Sequence, residues 1–305
     1  MKSSIEDLSK VKKKYLDFLR KQEVAGEPFR DKITQLKNFY LPICKLIFKK
    51  YNLKKNTLIV GLSGGQGSGK STITQILKII LQIKYKLSIT TFSIDDFYKT
   101  KNQRKKIASK VSKMFSVRGV PGTHDISLIK KSFILLSKKK FKPFYIPKFD
   151  KSIDDRCPKK KWSRISKKPE IVIFEGWCVG AKHQSINILK KPINSLEKKY
   201  DKQLIWRKKV NKELKNIYQK IFKLIDSLIF LEVPSFEYIY KWRFLQEKKL
   251  KKKSGGKKIM NQIEVKNFIM YYERITKQML KDLKISASIV IKLDKKHRLN
   301  KIRFN

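Results

Sequence analysis

Thr57-Leu-Ile-Val-Gly-Leu-Ser63-Gly64-Gly65-Gln66-Gly67-Ser68-Gly69-Lys70-Ser71-Thr72 joins a short apolar run to a glycine-rich loop. The run is aliphatic, β-branched and too short for a helix, so it reads as a buried strand. From Gly64 to Ser71 the loop satisfies GxxxxGK[ST] at every defined position. Its glycines let backbone N–H groups turn inward around a phosphate chain. Lys70 adds a point charge where β- and γ-phosphates would lie, and the Ser71 hydroxyl suits Mg²⁺. Residues 70–84 follow with Ile73, Ile76, Leu77, Ile80 and Leu81 at helical spacing. A helix starting here aims its positive end at the same phosphates. Strand, loop and helix thus occur in the order a nucleotide site needs. Gly64, Gly65, Gln66, Gly67, Ser68, Gly69, Lys70, Ser71 and Thr72 are the expected ATP-binding residues.

Upstream, residues 1–56 read as a helical lead-in packed on the core, with Leu16, Leu19, Ile33, Leu36, Tyr40, Ile43, Leu46 and Ile47 at helix-like intervals. Downstream, further apolar runs at Leu87–Ile94, Glu170–Phe174, Leu228–Val233 and Ser288–Leu293 read as strands alternating with helices. Thr123 is the expected cap of a helix over 124–137, and Asn261 with Glu264 resembles a capping box. Strands apolar on both faces predict an α/β fold, a P-loop NTPase three-layer sandwich with a mostly parallel sheet and helices on both sides. The kinase domain is expected over 57–305. Irregular, basic insertions are expected at about 99–124 and 138–169, and the Lys-rich run at about 246–258, broken by Ser254-Gly255-Gly256, is expected to be a lid.

In such sheets ligands sit beyond the carboxyl ends of the strands, where Asp95, Asp96 and Glu175 fall. Phosphoryl transfer to an alcohol needs a carboxylate that accepts the hydroxyl proton and a second acid near the metal. Asp95, expected on the strand beside the phosphate loop, suits the first role and Glu175 the second. Ser71, Asp95 and Glu175 are the candidate Mg²⁺ ligands. The plainer alternative makes Asp95-Asp96 a helix-capping pair and Glu175 a solvated strand end. The GTPase signatures NKxD and strand-borne DxxG are missing.

The net charge of +50 would ordinarily suggest a nucleic-acid or membrane-surface partner. Here Lys outnumbers Arg 64 to 11 and is spread along the whole chain. Lysine filling neutral surface sites accounts for that pattern, so no nucleic-acid partner is expected, and the surviving arginines are those that need a planar fork. Cys44, Cys157 and Cys178 are odd in number and scattered, which fits a reducing cytoplasm. No apolar stretch is long enough for a membrane span, and the first residues do not read as a secretory signal.

The series GLSGGQGSGKST, FSIDDFYKT, RGVPGTHD, PKFDKSIDDR, IFEGWCVG and WRFLQE resembles the D-glycerate 3-kinase family, within the uridine kinase, phosphoribulokinase and pantothenate kinase group, over about residues 30–298. The phosphate loop is shared widely. SIDDFY and FEGW point to the kinase group, and RGVPGTHD and PKFDKSIDDR to the glycerate kinase branch. The resemblance implies Asp95 as catalytic base, Asp96 as auxiliary acid, Glu175 at the Walker B position, Lys70 on the phosphates and Arg243 as a lid arginine. It implies substrate contacts among Tyr98, Arg118, His124, Asp125, Lys148, Asp150 and Arg156, with Arg118 or Arg156 forking a substrate carboxylate. The expected reaction is ATP-dependent phosphorylation of a small hydroxy acid, D-glycerate first. A uridine-type kinase, or an NTP-binding regulatory or RNA-associated protein, are the alternatives. The Lys-rich stretch 182–224 has no role in this reading.

Overall fold

The computed structural model describes residues 2–23, 28–254 and 260–305. Six strands form the central sheet: β1 (Leu58–Gly64), β2 (Ile89–Ser93), β3 (Ile171–Gly176), β4 (Ser227–Glu232), β5 (Ile289–Leu293) and β6 (Leu299–Phe304). Their order across the sheet is β6-β5-β4-β1-β3-β2, parallel throughout except for antiparallel β6. The last strand, β6, carries Lys301 and Arg303 between its apolar residues, which hid it from a search for apolar runs.

Side chains alternate across each strand, and both faces are buried. Val60, Leu62, Ile171, Ile173, Ile229 and Leu231 enter one apolar cluster, while Ile59, Val172, Phe174 and Phe230 enter the other. Helix α1 (Lys2–Gln22), α2 (Leu41–Lys54) and α3 (Lys70–Lys84) cover the first face. Val11, Tyr15 and Leu19 of α1 are almost wholly buried there, and full burial of such a side chain contributes about 1.5–3 kcal/mol. Helix α4 (Ile126–Ser137), α6 (Gln262–Ser286) and the helices over 205–222 cover the other face, with α5 (Phe236–Ser254) crossing above the phosphate loop. The result is the three-layer sandwich of a P-loop NTPase.

Two local expectations are corrected, and a third lies partly outside the described residues. Residues 99–123 are not mostly loop: Lys101–Lys110 is a helix, capped by Thr100, whose hydroxyl accepts from Gln103 N. The cap of α4 is Asp125, whose carboxylate accepts from Leu128 N, while the Thr123 hydroxyl bonds Gly119 N and Val120 O instead. Helix α5 continues through Ser254, so the basic run begins as helix; the remainder of the expected lid, residues 255–258, lies outside the described residues. Asn261 and Glu264 do form a reciprocal capping box at the start of α6.

The stretch 182–224 acquires a structural role. Arg274 of α6 makes a two-bond fork to buried Glu197 at 2.8 and 2.6 Å, and buried Arg207 bonds Asp201 at 2.8 Å. Removing one partner of such a buried pair costs about 3–5 kcal/mol, which ties this stretch to the sheet-covering helix. From the same stretch, the Tyr218 hydroxyl accepts from Gly122 N at 3.0 Å and lies 2.7 Å from His124 Nδ1.

Candidate active site

The strand register places the acids. Glu175 is level with Leu62 of β1 on one side and Ser93 of β2 on the other, all at the carboxyl edge of the sheet. Because β3 lies between β1 and β2, Glu175 is the acid on the strand next to the phosphate loop. Asp95, expected beside that loop, is one strand further out. Its single helical turn, Ile94–Phe97, is held by a reciprocal cap: Ser93 Oγ accepts from Asp95 N, and Asp96 Oδ2 accepts from Ser93 N at 3.0 Å. Asp96 is therefore a cap, as the plainer reading had it, and this leaves Asp95 to face the cleft. Burial raises the Asp96 carboxyl to about 6, with Asp95 and Glu175 adding to the effect.

On the phosphate side, Ser71 Oγ donates to Glu175 Oε1 at 3.0 Å, so the loop hydroxyl and the strand acid share one point. Lys70 Nζ donates to the carbonyls of Gly64 and Gly65, each at 2.9 Å. Burial lowers the Lys70 ammonium and raises the Glu175 carboxyl, and each acts against the other's shift. Gly67 has φ +75, and a Cβ there would lie 2.9 Å from the backbone N of Arg243, so the loop and α5 touch only because this residue has no side chain. Among the described residues, Gln66, Ser68 and His297 carry buried side-chain polar atoms without a hydrogen-bond partner, which fits a place that takes a polar ligand. Among the described residues no cluster of three or more His, Cys, Asp or Glu could hold a metal alone. The Ser71–Glu175 pair does fit a Mg²⁺ that takes its other oxygens from phosphate and water.

His297 was missed by the sequence reading. Its ring stacks on Trp242 at 4.2 Å and 16°, and it lies 3.7 Å from where a Cβ of Gly69 would be. With Trp242, Tyr238, Phe244 and Lys248 it lines a cavity of about 370 Å³ beside the loop. Only folding joins residue 297 to residues 238–248, and no local motif announces it. The Arg243 side chain, expected over the phosphates, is paired with Glu247, donates to Gln246 Oε1 at 3.2 Å and lies over the Phe268 ring.

The acceptor side is built from the two insertions. Asp95 Oδ1 accepts from the Tyr98 hydroxyl at 2.9 Å and Oδ2 from Lys151 Nζ at 2.7 Å. Burial pushes the Asp95 carboxyl up, but the Lys151 ammonium and the Tyr98 hydroxyl beside it hold it well below the usual carboxylate range. Arg118 pairs with Asp154, which also accepts from buried Arg104 at 2.6 Å. Its guanidinium lies over the Phe149 ring at 5.6 Å, and its side chain stays 26% exposed. The backbone around Arg118 is fixed by Tyr272, which donates to Arg118 O at 3.2 Å, and by Trp177 of the FEGW motif, which donates to Gly119 O at 2.8 Å. Gly119, at φ +135, lies where a Cβ would run into the Tyr272 hydroxyl.

Arg156 is used internally: its fork takes Tyr98 O at 3.1 and 2.7 Å and Asp125 Oδ2 at 3.2 Å. Asp125 is occupied by its cap and this pair. Asp150 closes a turn onto Ser152 N at 2.9 Å, and Lys148 is exposed, with its carbonyl accepting from Cys157 N. His124 is fully buried, stacked on Tyr98 at 4.5 Å. Burial lowers its pKa to about 3, and that of His297 to about 4. Both are neutral when folded, whereas an unfolded histidine protonates near 6.5. The stability these two histidines contribute is therefore full above pH 6.5 and is lost as the pH drops toward 4. His124 alone should cost about 2 kcal/mol at pH 5 relative to pH 7. In urea titrations at the two pH values, His124→Gln should shrink the pH 7-to-5 loss by that amount; an unchanged loss would contradict the assignment.

A phosphate loop, a strand-end glutamate bonded to its serine and a carboxylate facing the cleft from a neighbouring strand end define a P-loop kinase. Residues 59–188 match the Phosphoribulokinase / Uridine kinase family, and the chain belongs to that family. It is 34% identical over 238 residues to the uncharacterized kinase mug58 of Schizosaccharomyces pombe, covering 75% of this chain and 83% of that protein. It is 27% identical over 256 residues to the chloroplastic D-glycerate 3-kinase of Arabidopsis thaliana, covering 78% of this chain and 53% of that protein. Its fold resembles the D-glycerate 3-kinase structure from Cryptococcus neoformans at a TM-score of 0.73 and 22% identity, covering 87% of this chain and 99% of that one. No helix among the described residues is long and apolar enough to cross a membrane, and all three cysteines are buried and free.

Proposed function

We propose that this kinase transfers the γ-phosphoryl group of ATP to a small hydroxy acid, D-glycerate giving 3-phosphoglycerate, in the cytoplasm. The observation that carries the reading is the acceptor side: a carboxylate, Asp95, paired with the exposed cation Lys151, whose turn also holds Asp154, the partner of the part-exposed Arg118. That arrangement suits an acceptor with a hydroxyl to activate and an acid group to neutralise. The glycerate kinases among the similar proteins support it. The acceptor hydroxyl would form the new bond to the γ-phosphorus, the bridging bond to ADP would break with its electrons staying on ADP, and Asp95 would take the hydroxyl proton. Lys70 would neutralise charge on the phosphates, and Ser71 with Glu175 would hold Mg²⁺, which supplies further charge neutralisation when bound. The cavity beside His297 and Trp242 would take the nucleotide base. A screen of ATP consumption over glycerate, uridine, cytidine, pantothenate and ribulose 5-phosphate tests the reading. Turnover with uridine and none with glycerate would overturn the acceptor and leave the kinase.

The two candidate carboxylate-binding arginines should now separate. Arg118→Lys keeps a charge but loses the fork, and should raise KM for glycerate about 10- to 100-fold, from the roughly 1.5–3 kcal/mol range of charged hydrogen bonds, with KM for ATP unmoved. Arg156→Lys should instead lower the melting temperature, because its fork holds Tyr98 O and Asp125. The opposite pattern would exchange their roles.

A further inference from the structure

Lys151 lies 56 positions from Asp95 in the chain, in the turn between the two short strands Phe149–Asp150 and Asp155–Arg156. The turn itself is pinned. Asp150 closes onto Ser152, Arg104 holds the carbonyl of Asp154 at 2.9 Å, and Arg156 is anchored on Tyr98. The Lys151 side chain is 60% exposed, and only its ammonium reaches inward to Asp95, which is 27% exposed. A cation on a long stem projecting from a fixed backbone has one mobile part, its tip.

The two oxygens of Asp95 are therefore not equivalent. Oδ1 takes the hydroxyl of Tyr98, a buried side chain with nowhere to go. Oδ2 takes Lys151, which borders solvent. A hydroxyl arriving at Asp95 competes with Lys151 and not with Tyr98. Arg118, itself paired with Asp154 of the same turn, adds a minor repulsion on Lys151. An anion between them would relieve that repulsion and give the displaced ammonium a new partner.

We propose, on the reading of a hydroxy-acid acceptor above, that Lys151 is a specificity-determining residue: its ammonium leaves Asp95 Oδ2 for the acid group of the acceptor, and the acceptor hydroxyl takes its place on Asp95. Selection for an acid and delivery of the hydroxyl are then one event. A neutral alcohol offers Lys151 nothing and must compete for Asp95 unaided.

The test compares the full chain with Lys151→Met and Lys151→Arg, using D-glycerate and the uncharged triol glycerol as acceptors and L-lactate as a non-reacting acid inhibitor. Lys151→Met should lower the glycerate-over-glycerol preference in kcat/KM about 10- to 100-fold, the range of one charge-assisted hydrogen bond. The loss should fall on KM for glycerate, the inhibition constant of lactate should rise by a similar factor, and KM for ATP should stay constant. Lys151→Arg should restore part of the preference. If Lys151→Met lowers kcat with both acceptors alike and keeps preference and lactate inhibition intact, Lys151 only braces Asp95 and the proposal falls while the acceptor assignment stands. A wild-type enzyme that phosphorylates only uncharged acceptors overturns both.

Discussion

Replacing Asp95 by asparagine is expected to lower kcat by about 10²- to 10⁴-fold, the usual contribution of a general base, while leaving KM for ATP within a few-fold of wild type. The amide keeps the shape of the carboxylate and can still accept from Tyr98, so the fold should survive. It cannot take a proton from the acceptor hydroxyl or pair with Lys151. Asp96→Asn should be far milder, because an asparagine side chain can still cap Ser93 N. Steady-state kinetics with ATP and glycerate decide the ranking. A larger loss in Asp96→Asn would move the base by one residue and dissolve the role given to Lys151.

The second large effect is expected at the other side of the transferred group. Lys70→Ala should reduce phosphoryl transfer by at least about 10²- to 10³-fold with every acceptor, the scale of losing one preorganised electrostatic donor. Among the described residues its ammonium bonds only loop carbonyls, Gly64 O and Gly65 O, so the melting temperature should change little. Here the loss should appear with glycerate and in any slow hydrolysis of ATP by water, because the lysine acts on the phosphates and not on the acceptor. Near-normal turnover in a folded Lys70→Ala protein would remove the nucleotide from this loop. Comparing the two variants separates the halves of the site: Asp95→Asn should spare ATP binding, and Lys70→Ala should not.

Arginine scarcity was informative, though in a different sense from the one expected. Arg118, Arg156 and Arg243 stand in the motifs that resemble the glycerate kinase branch. Yet the most deeply buried arginines are Arg104, Arg207 and Arg274, which spend their forks on carboxylates and carbonyls inside the protein. A planar group with five donors is as hard to replace in a buried network as at a ligand. Composition alone does not separate the two uses. The burial of each side chain does distinguish them, with Arg118 26% exposed and Arg156 11%.

What the amino-acid sequence determined by itself was whatever depends on neighbouring residues. The turn from β1 through Gly64–Ser71 into α3 is such a unit, because backbone donors, glycine freedom and the helix end all lie within sixteen consecutive residues. The alternation of apolar strands with helices, and the capping box at Asn261, were legible for the same reason. Tertiary structure alone decided the strand order, which inserts β3 between β1 and β2 and gives Glu175, not Asp95, the place beside the loop. It alone brought Lys151 to Asp95, His297 to Trp242, and Tyr218 to the loop of Arg118. Each of these is a contact between segments tens of residues apart. Such contacts arise when whole layers bury their apolar faces together, and no spacing along the chain encodes which polar side chains then meet at the edge.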